Sequence, residues 1–405
     1  MKSKKDKQFY HFAAYGFLKN LRFFDAFLLL FFLENGLSYT QIGIVYSIKE
    51  ITINLTEIPS GLVADSYGRK YALVGSFLLY ISSFLLFYFS HHFQLFALGM
   101  FLYGMADAFR SGTHKGMIMD YLRLKGWSQY KVQYYGQTRS WSQKGSAVSA
   151  LMAGILVFYS GSYRQVFLFS VIPYGLNFLN ILSYPKAINF SRKLKSRPVI
   201  GNVFSNFYRT VKQRNVFSII YSSAVHSSFL KAIKDYIQPI MVNLALILPF
   251  FINFDDKKRT GIMIGIFYFF IYLMTSFASK KAYWFVGLKS NSISKITLLI
   301  GLGLGIICGI FYYLEWWVGA LFSFALIYGV ENIRKPILTG DLADIVPSEN
   351  LTSILSAQSF LGTILTSLFA LGLGMIADAH GVGLALLLVS SGALGINFGL
   401  KEGKT

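Results

Sequence analysis

The sequence predicts an all-α membrane protein of twelve transmembrane helices in two six-helix bundles, with both termini cytoplasmic. Three observations carry this. First, the 405 residues are 54% hydrophobic and only 14% charged, where soluble domains carry about 25% charged residues. Second, apolar runs of about 20 residues, the length that spans a bilayer, recur along the whole chain. Third, the basic residues sort to one side of those runs. The 39 Phe and 26 Tyr exclude a disordered chain. The lone Cys308 excludes a disulfide framework and a cysteine zinc site.

The spans follow in order. Span 1 covers 12–33. Its basic start resembles a signal peptide, but Lys19, Arg22 and Asp25 interrupt the apolar run and no small-residue cleavage site follows. A retained span is expected. Span 2 covers 40–62 and holds Lys49, Glu50 and Glu57. Span 3 (71–90) is free of charge through its centre, span 4 (94–121) is not, and span 5 (138–160) carries Arg139 and Lys144. Span 6 covers 165–184. A basic connection with Pro185 and Pro198 then divides the chain into an N-terminal bundle (1–184), a linker (185–213) and a C-terminal bundle (214–405). Span 7 covers 214–238. Residues 237–252 are short for a span and contain Pro239 and Pro249, so they read as its kinked end plus an outer loop, with a surface helix as the alternative. Spans 8 to 12 cover 260–279, 296–314, 318–342, 352–377 and 383–400.

With the N-terminus inside, 23 of the 38 Lys and Arg fall on inner connections, 4 on outer ones and 11 within spans. That asymmetry sets the orientation. It also removes nucleic acid as the partner of the +20 net charge.

The link between spans 2 and 3 reads Pro59-Ser60-Gly61-Leu62-Val63-Ala64-Asp65-Ser66-Tyr67-Gly68-Arg69-Lys70. Its Gly61, Asp65, Gly68, Arg69 and Lys70 resemble motif A of the major facilitator superfamily, and with twelve spans and a 6 + 6 division the resemblance covers the whole chain. It implies a bacterial-type transporter in which spans 1, 4, 7 and 10 line a central cavity and the motif is a gate between the halves. Independently of the family, glycines permit a tight turn, Asp65 suits a helix start, and Arg69 and Lys70 suit the anionic inner leaflet. An echo, Gly374-x-x-Ala377-Asp378-x-x-Gly381, ends span 11 on the opposite side, as an inverted repeat would place it. The Gly-Pro motif of drug/proton antiporters on span 5 is missing, and Arg110-Ser111-Gly112-Thr113 lacks their Gln.

Ionisable residues at membrane depth are costly and mark function. Arg22 and Asp25 on span 1 are three apart and predicted to share a helical face. Span 4 repeats the spacing with Asp107 and Arg110, followed by His114. Span 7 carries His226 at its middle and Lys231, Lys234 and Asp235 in its outer part, with Lys231 and Asp235 four apart. Span 10 carries Glu331 and Arg334, then Lys335 and Pro336, where a kink is expected. The candidates for substrate or coupling contact are therefore Arg22, Asp25, Asp107, Arg110, His114, His226, Lys231, Asp235, Glu331 and Arg334, with Asp25 the preferred coupling acid. Each same-helix pair has a competing reading as a neutralised structural contact. Arg139 is expected to pair with Asp120. Tyr103, Tyr221, Tyr236 and Tyr328 are possible ligand-stacking residues, and Trp316 and Trp317 an interfacial belt.

The expected function is secondary active transport of a small polar or organic-ion solute by alternating access, driven by protons. No G-x-x-x-x-G-K-[ST] is present for an ATP-driven pump, and no catalytic or metal-binding motif for an enzyme. The expected partners are the solute, protons and membrane lipid of the cell membrane. A monomer is expected, without cofactor, metal or nucleic acid. A non-transporting receptor on the same scaffold is the alternative, disfavoured by tails of about eleven and five residues.

Overall fold

The computed structural model describes residues 5–189, 214–281, 290–345 and 348–402; the central linker beyond residue 189 lies outside the described residues, as do the side chains of Asp65, Lys335 and Pro336. The described chain is helical throughout, with no strand. Among the described residues, five helical stretches are long and apolar enough to cross a membrane: Arg69–Phe89, Gln165–Leu182, Asp256–Ala278, Lys295–Tyr313 and Gln358–His380. They correspond to spans 3, 6, 8, 9 and 11. Span 1 falls outside that set because its helix is in two short pieces, and spans 4, 7 and 10, which carry charges, fall outside it too. Large apolar side chains such as Leu55, Leu176, Phe270 and Leu368 remain exposed on the helices, as expected of surfaces that face lipid.

Span 1 is not one helix. Helix α1 (Lys7–Lys19) stops, a single 3-10 turn covers Phe23–Ala26, and α2 (Leu28–Glu34) resumes. Arg22 therefore sits in a non-helical linker (φ −100°, ψ 80°) and Asp25 in the 3-10 turn. The expected shared α-helical face is corrected accordingly. No glycine or proline causes the break. Side chains satisfy the carbonyls it frees, as termini at membrane depth require. Asn20 Nδ2 donates to the Gly16 carbonyl (2.7 Å), Asn177 Nδ2 to that of Tyr15 (3.1 Å) and Tyr174 OH to that of Lys19 (3.0 Å).

Span 4 is broken too. Helix α5 (Phe93–Arg110) ends one turn before α6 (Thr113–Leu124), and Gly112 between them has φ +70°, a conformation that favours glycine. The remaining N-terminal helices are α3 (Tyr39–Tyr67), α4 (Arg69–Phe89), α7 (Lys131–Ser160) and α8 (Gln165–Leu182). Helix α9 (Arg214–Ile233) leads through a 3-10 turn (Lys234–Tyr236) into α10 (Ile237–Ile247). The side chains of Pro239, Ile240, Met241 and Leu244 are buried, so α10 is a packed continuation and not a surface helix. Helices α11 (Asp256–Lys281), α12 (Ser290–Tyr313), α13 (Trp317–Ile345), α14 (Ser348–His380) and α15 (Val382–Glu402) complete the chain. Helix α13 is assigned as helical through Pro336.

The chain forms two compact units. One comprises Met1–Phe31, Ile48–Ser196 and Phe250–Tyr272; the other comprises Phe32–Ser47, Arg197–Pro249 and Leu273–Thr405. In the first, α1 packs on α7 and α8, and α4 on α5 and α8. A core of Phe24, Phe77, Phe84, Phe87 and Phe167 rings fills the space between them. Helix α11 reaches this unit through glycines: a Cβ on Gly154 would lie 3.0 Å from Gly265 Cα, and one on Gly265 would lie 2.8 Å from the Ala150 carbonyl oxygen. In the second unit, α12 packs on α13 and α15, and α9 on α14. The start of α3 joins it at similar range. A Cβ on Gly43 would lie 2.5 Å from the Ala370 carbonyl oxygen, and one on Gly374 would lie 2.4 Å from that of Tyr39.

Candidate functional site

In the first unit, the two breaks bring charged groups together. At the break in span 1, Arg22 Nη2 pairs with Asp25 Oδ2 at 3.0 Å, and its Nη1 donates to Tyr103 OH of α5 at 3.3 Å. At the break in span 4, Arg110 Nη2 meets Asp107 Oδ1 at 3.0 Å. Tyr80 OH of α4 donates to the same Asp107 oxygen and accepts from Arg110 Nε at 3.1 Å. Lys49 of α3 pairs with Glu50 at 3.4 Å and lies 5.6 Å from the Tyr103 ring centroid. Tyr80 and Tyr103 meet edge-on at 5.1 Å, and Tyr80 and Tyr174 at 5.2 Å. The phenols thus form a polar, rigid wall around the charges. A small cavity opens beside them, lined by Asn20, Arg22, Asp25, Ser146, Ser149 and Tyr272.

His114 follows the break in span 4 and is not on a helix continuous with Arg110. Its ring stacks on Tyr15 with centroids 3.5 Å apart and planes at 9°, and its Nε2 is buried with no hydrogen-bond partner among the described residues.

In the second unit the candidates form a different set of pairs. Glu331 on α13 accepts at Oε1 from the Ser227 hydroxyl, and its Oε2 lies 2.7 Å from His226 Nδ1 on α9. Arg334 reaches neighbouring helices. Its Nη1 donates to Thr297 Oγ1 of α12 at 2.5 Å, and its Nη2 to the carbonyl and hydroxyl oxygens of Ser222 on α9 at 3.0 and 3.1 Å. These bonds bridge α13 to α12 and to α9. Both His226 and Arg334 are buried. A Cβ on Gly301 would lie 1.9 Å from His226 Nε2, so α12 makes room for the imidazole by carrying no side chain there. Asp235 pairs with the adjacent Lys234 at 3.3 Å, while the Lys231 side chain is exposed. Tyr236 stacks on Tyr39 and Tyr328 OH donates to the Lys234 carbonyl at 3.1 Å.

The Gly61–Lys70 motif is fastened to protein. Arg69 Nη1 reaches Asp120 Oδ2 of α6 at 2.6 Å, and Lys70 Nζ donates to the carbonyls of Leu182 and Tyr184 at 2.7 Å each. Asp120 is therefore occupied by Arg69 and, at 3.4 Å, Arg123, and the expected partner Arg139 is exposed. Gly68 has φ +103°, and a Cβ there would strike Asn189, whose Oδ1 accepts from Lys70 N at 3.0 Å. Nearby Asp6 receives the hydroxyls of Tyr121 and Tyr134. Burial first, then this carboxylate, raises the Tyr134 hydroxyl well above its usual pKa, which keeps it a donor.

The echo at the end of α14 has an analogous arrangement. Asp378 Oδ1 accepts from Tyr39 N and Oδ2 from Thr40 N, both at 2.8 Å. Ser38 and Gln41 add a capping box, with Ser38 N donating to Gln41 Oε1 at 3.0 Å and Gln41 N to Ser38 Oγ at 3.3 Å. In both places a side chain remote in sequence caps the start of a helix.

Comparison with known proteins decides the family. The model of the Major Facilitator Superfamily matches residues 14–370. The chain belongs to this superfamily of transporters. It is a multi-pass membrane protein, and not an enzyme. An uncharacterized MFS-type transporter, YxaM of Bacillus subtilis (strain 168), is 21% identical over 403 residues, covering 94% of this chain and 92% of the relative. Among solved structures, the nucleoside transporter NupG is similar at TM-score 0.76 and 13% identity, over 99% of this chain and all of that one. A POT family transporter in complex with 5-aminolevulinic acid gives 0.72 at 12% identity, covering 97% and 95%. A D-xylose–proton symporter gives 0.62 at 13%, covering 95% and 96%. At these identities the likeness concerns the fold.

Sequence reasoning missed Tyr80, which bridges the Asp107–Arg110 pair, and Thr297, which receives Arg334. Both are neutral polar residues on spans read as apolar, and only their partners reveal them. It also passed over Lys19 as one of three charges in an apolar run, although the residue is half-buried at the end of α1.

Proposed function

We propose that the protein is a secondary active transporter that moves a small polar or organic-ion solute by alternating access, driven by a proton gradient. The carrying observation is the pair of broken helices in spans 1 and 4, which place Arg22–Asp25 and Asp107–Arg110 at mid-span with Tyr103 and Tyr80. Discontinuous helices lined with polar groups are the arrangement by which membrane transporters build a substrate site. The similar structures are of nucleoside, peptide and D-xylose–proton transporters, which supports a small polar cargo and an ion-coupled cycle.

In this reading the sequence halves 1–184 and 214–405 are the moving bodies, joined by 185–213, with both ends of the chain cytoplasmic. Two gates sit at opposite ends. The inner one is the Gly61–Lys70 motif. The outer one is the α3–α14 contact, with Gly43, Gly374 and the Asp378 cap. Opening to the outside breaks the second contact. Asp25 is the coupling acid: it shares its guanidinium partner with Tyr103 and borders the cavity, whereas Asp107 is held by Arg110 and Tyr80. His226–Glu331 is a second proton site in the other half.

Purified protein in liposomes, given candidate solutes under an imposed pH gradient, tests this. Gradient-dependent accumulation is the expected result, and its absence for every solute with folded protein counts against transport. Asp25→Asn is expected to keep solute exchange and lose gradient-driven accumulation. If accumulation survives unchanged, Asp25 is not the coupling acid.

A further inference from the structure

The connection that leads into α11 is apolar and open. In Phe250-Phe251-Ile252-Asn253-Phe254 every residue but Asn253 is large and apolar, and these four are exposed by 54, 41, 64 and 46%. Loops that face water favour glycine and short polar residues instead. The rings of Phe251 and Phe254 meet that of Phe158 on α7 at 6.1 and 4.8 Å, and the exposed Tyr159 ring lies 5.5 Å from Phe158. Together they make one apolar patch within the first unit.

The depth of the patch follows from α11. A Cβ on Gly261 would lie 2.4 Å from Val157 Cγ1 and 3.6 Å from Phe158 N, so Phe158 is level with Gly261. Lys257 lies one turn earlier on α11, about 6 Å nearer its start at 1.5 Å per residue. The loop rings therefore rest on a residue at the bilayer side of the charged first turn, level with the stretch Asp256–Ala278 that is able to cross a membrane. The loop backbone is bonded accordingly. Arg259 Nε donates to the Phe250 carbonyl at 3.0 Å, and Phe254 N to that of Phe251 at 3.1 Å. Polar backbone at membrane depth requires such partners within the protein. The two bonds also flank Phe251, whose φ of +57° is one that bulky residues rarely adopt.

We infer that residues 250–254 are a membrane-inserted anchor, lying in the lipid leaflet at that end of α11 with the Phe and Ile side chains among the acyl chains. Two features favour lipid as the occupant. Met152, Ile155 and Tyr159 are exposed along one face of α7 at helical spacing, so the patch ends a continuous apolar strip. Lys257, Lys258 and Arg259 follow the loop directly, where the phosphates of lipid headgroups complement them.

The test uses nitroxide spin labels on the full chain in phosphatidylcholine liposomes, with Cys308→Ala as background. Oxygen concentrates in hydrocarbon, whereas a nickel chelate stays in water. A label at Ile252→Cys is expected to collide more with oxygen than with nickel. A label at Asp255→Cys, where the native side chain is 82% exposed, is expected to show the reverse. Phe250→Cys gives the same readout as Ile252→Cys if that variant does not fold. An oxygen-to-nickel ratio at the loop equal to that at Asp255→Cys overturns the inference, because the loop is then in water. Shielding of the loop labels from both reagents also overturns it, because protein then covers the loop. Dipolar broadening between labels would in that case identify a second copy of this chain as the cover.

Discussion

Asp378 caps a helix that begins 339 residues earlier, its Oδ1 accepting from Tyr39 N at 2.8 Å. The cap joins α14 to α3 where glycines already bring the two backbones close. Replacing Asp378 by Ala is expected to lower stability by about 0.5–2 kcal/mol, the usual loss for a cap, and Asn is expected to retain most of it. Melting of the purified variants in detergent measures both. Equal losses for Ala and Asn would mean that the charge matters and the cap does not.

The close approach at Gly374 gives a second expectation. Gly374→Val places bulk 2.4 Å from the Tyr39 carbonyl oxygen, so α3 and α14 must separate. Transport is expected to fall, and reporter cysteines near Thr40 and Leu371 should gain reactivity toward a water-soluble maleimide. The native Cys308 is buried and interferes little. Unchanged labelling would show that the contact yields without opening.

His226 occupies space that Gly301 leaves open. Gly301→Ala is expected to cost about 1–3 kcal/mol, as overpacking of a filled site does. Combining it with His226→Ser should restore most of the loss. A double variant no more stable than Gly301→Ala alone would place the strain elsewhere.

Asp107, Arg110 and Tyr80 act as one group. Arg110→Gln alone leaves a half-buried carboxylate held only by a phenol. The double variant Asp107→Asn with Arg110→Gln is expected to be more stable than Arg110→Gln alone, with a coupling energy of about 0.5–3 kcal/mol in a double-mutant cycle. Additive losses would show that each residue works independently.

Much of this was legible beforehand, for reasons particular residues make clear. The Gly61–Lys70 pattern and the basic asymmetry are local signals, so the family emerged from the sequence. The Gly112 break also leaves a trace, because only its glycine suits φ +70°. The break before Arg22 leaves none, because no glycine or proline makes it; Asn177 and Tyr174, over 150 residues away, stabilise it. The partners of Glu331 and Arg334 on other helices were not legible for a related reason. Spacing along one helix indicates which of its own side chains can meet, and says nothing of His226, Ser227, Ser222 and Thr297 on neighbouring helices.

The gap between α1 and α2 also has a mechanical meaning. An unbroken helix transmits twist and tilt along its hydrogen-bond ladder. In span 1 a 3-10 turn of four residues interrupts that ladder between Lys19 and Leu28. No continuous α-helical ladder therefore ties the axis of the piece that starts at Leu28 to that of the piece that ends at Lys19, whose carbonyl Tyr174 holds.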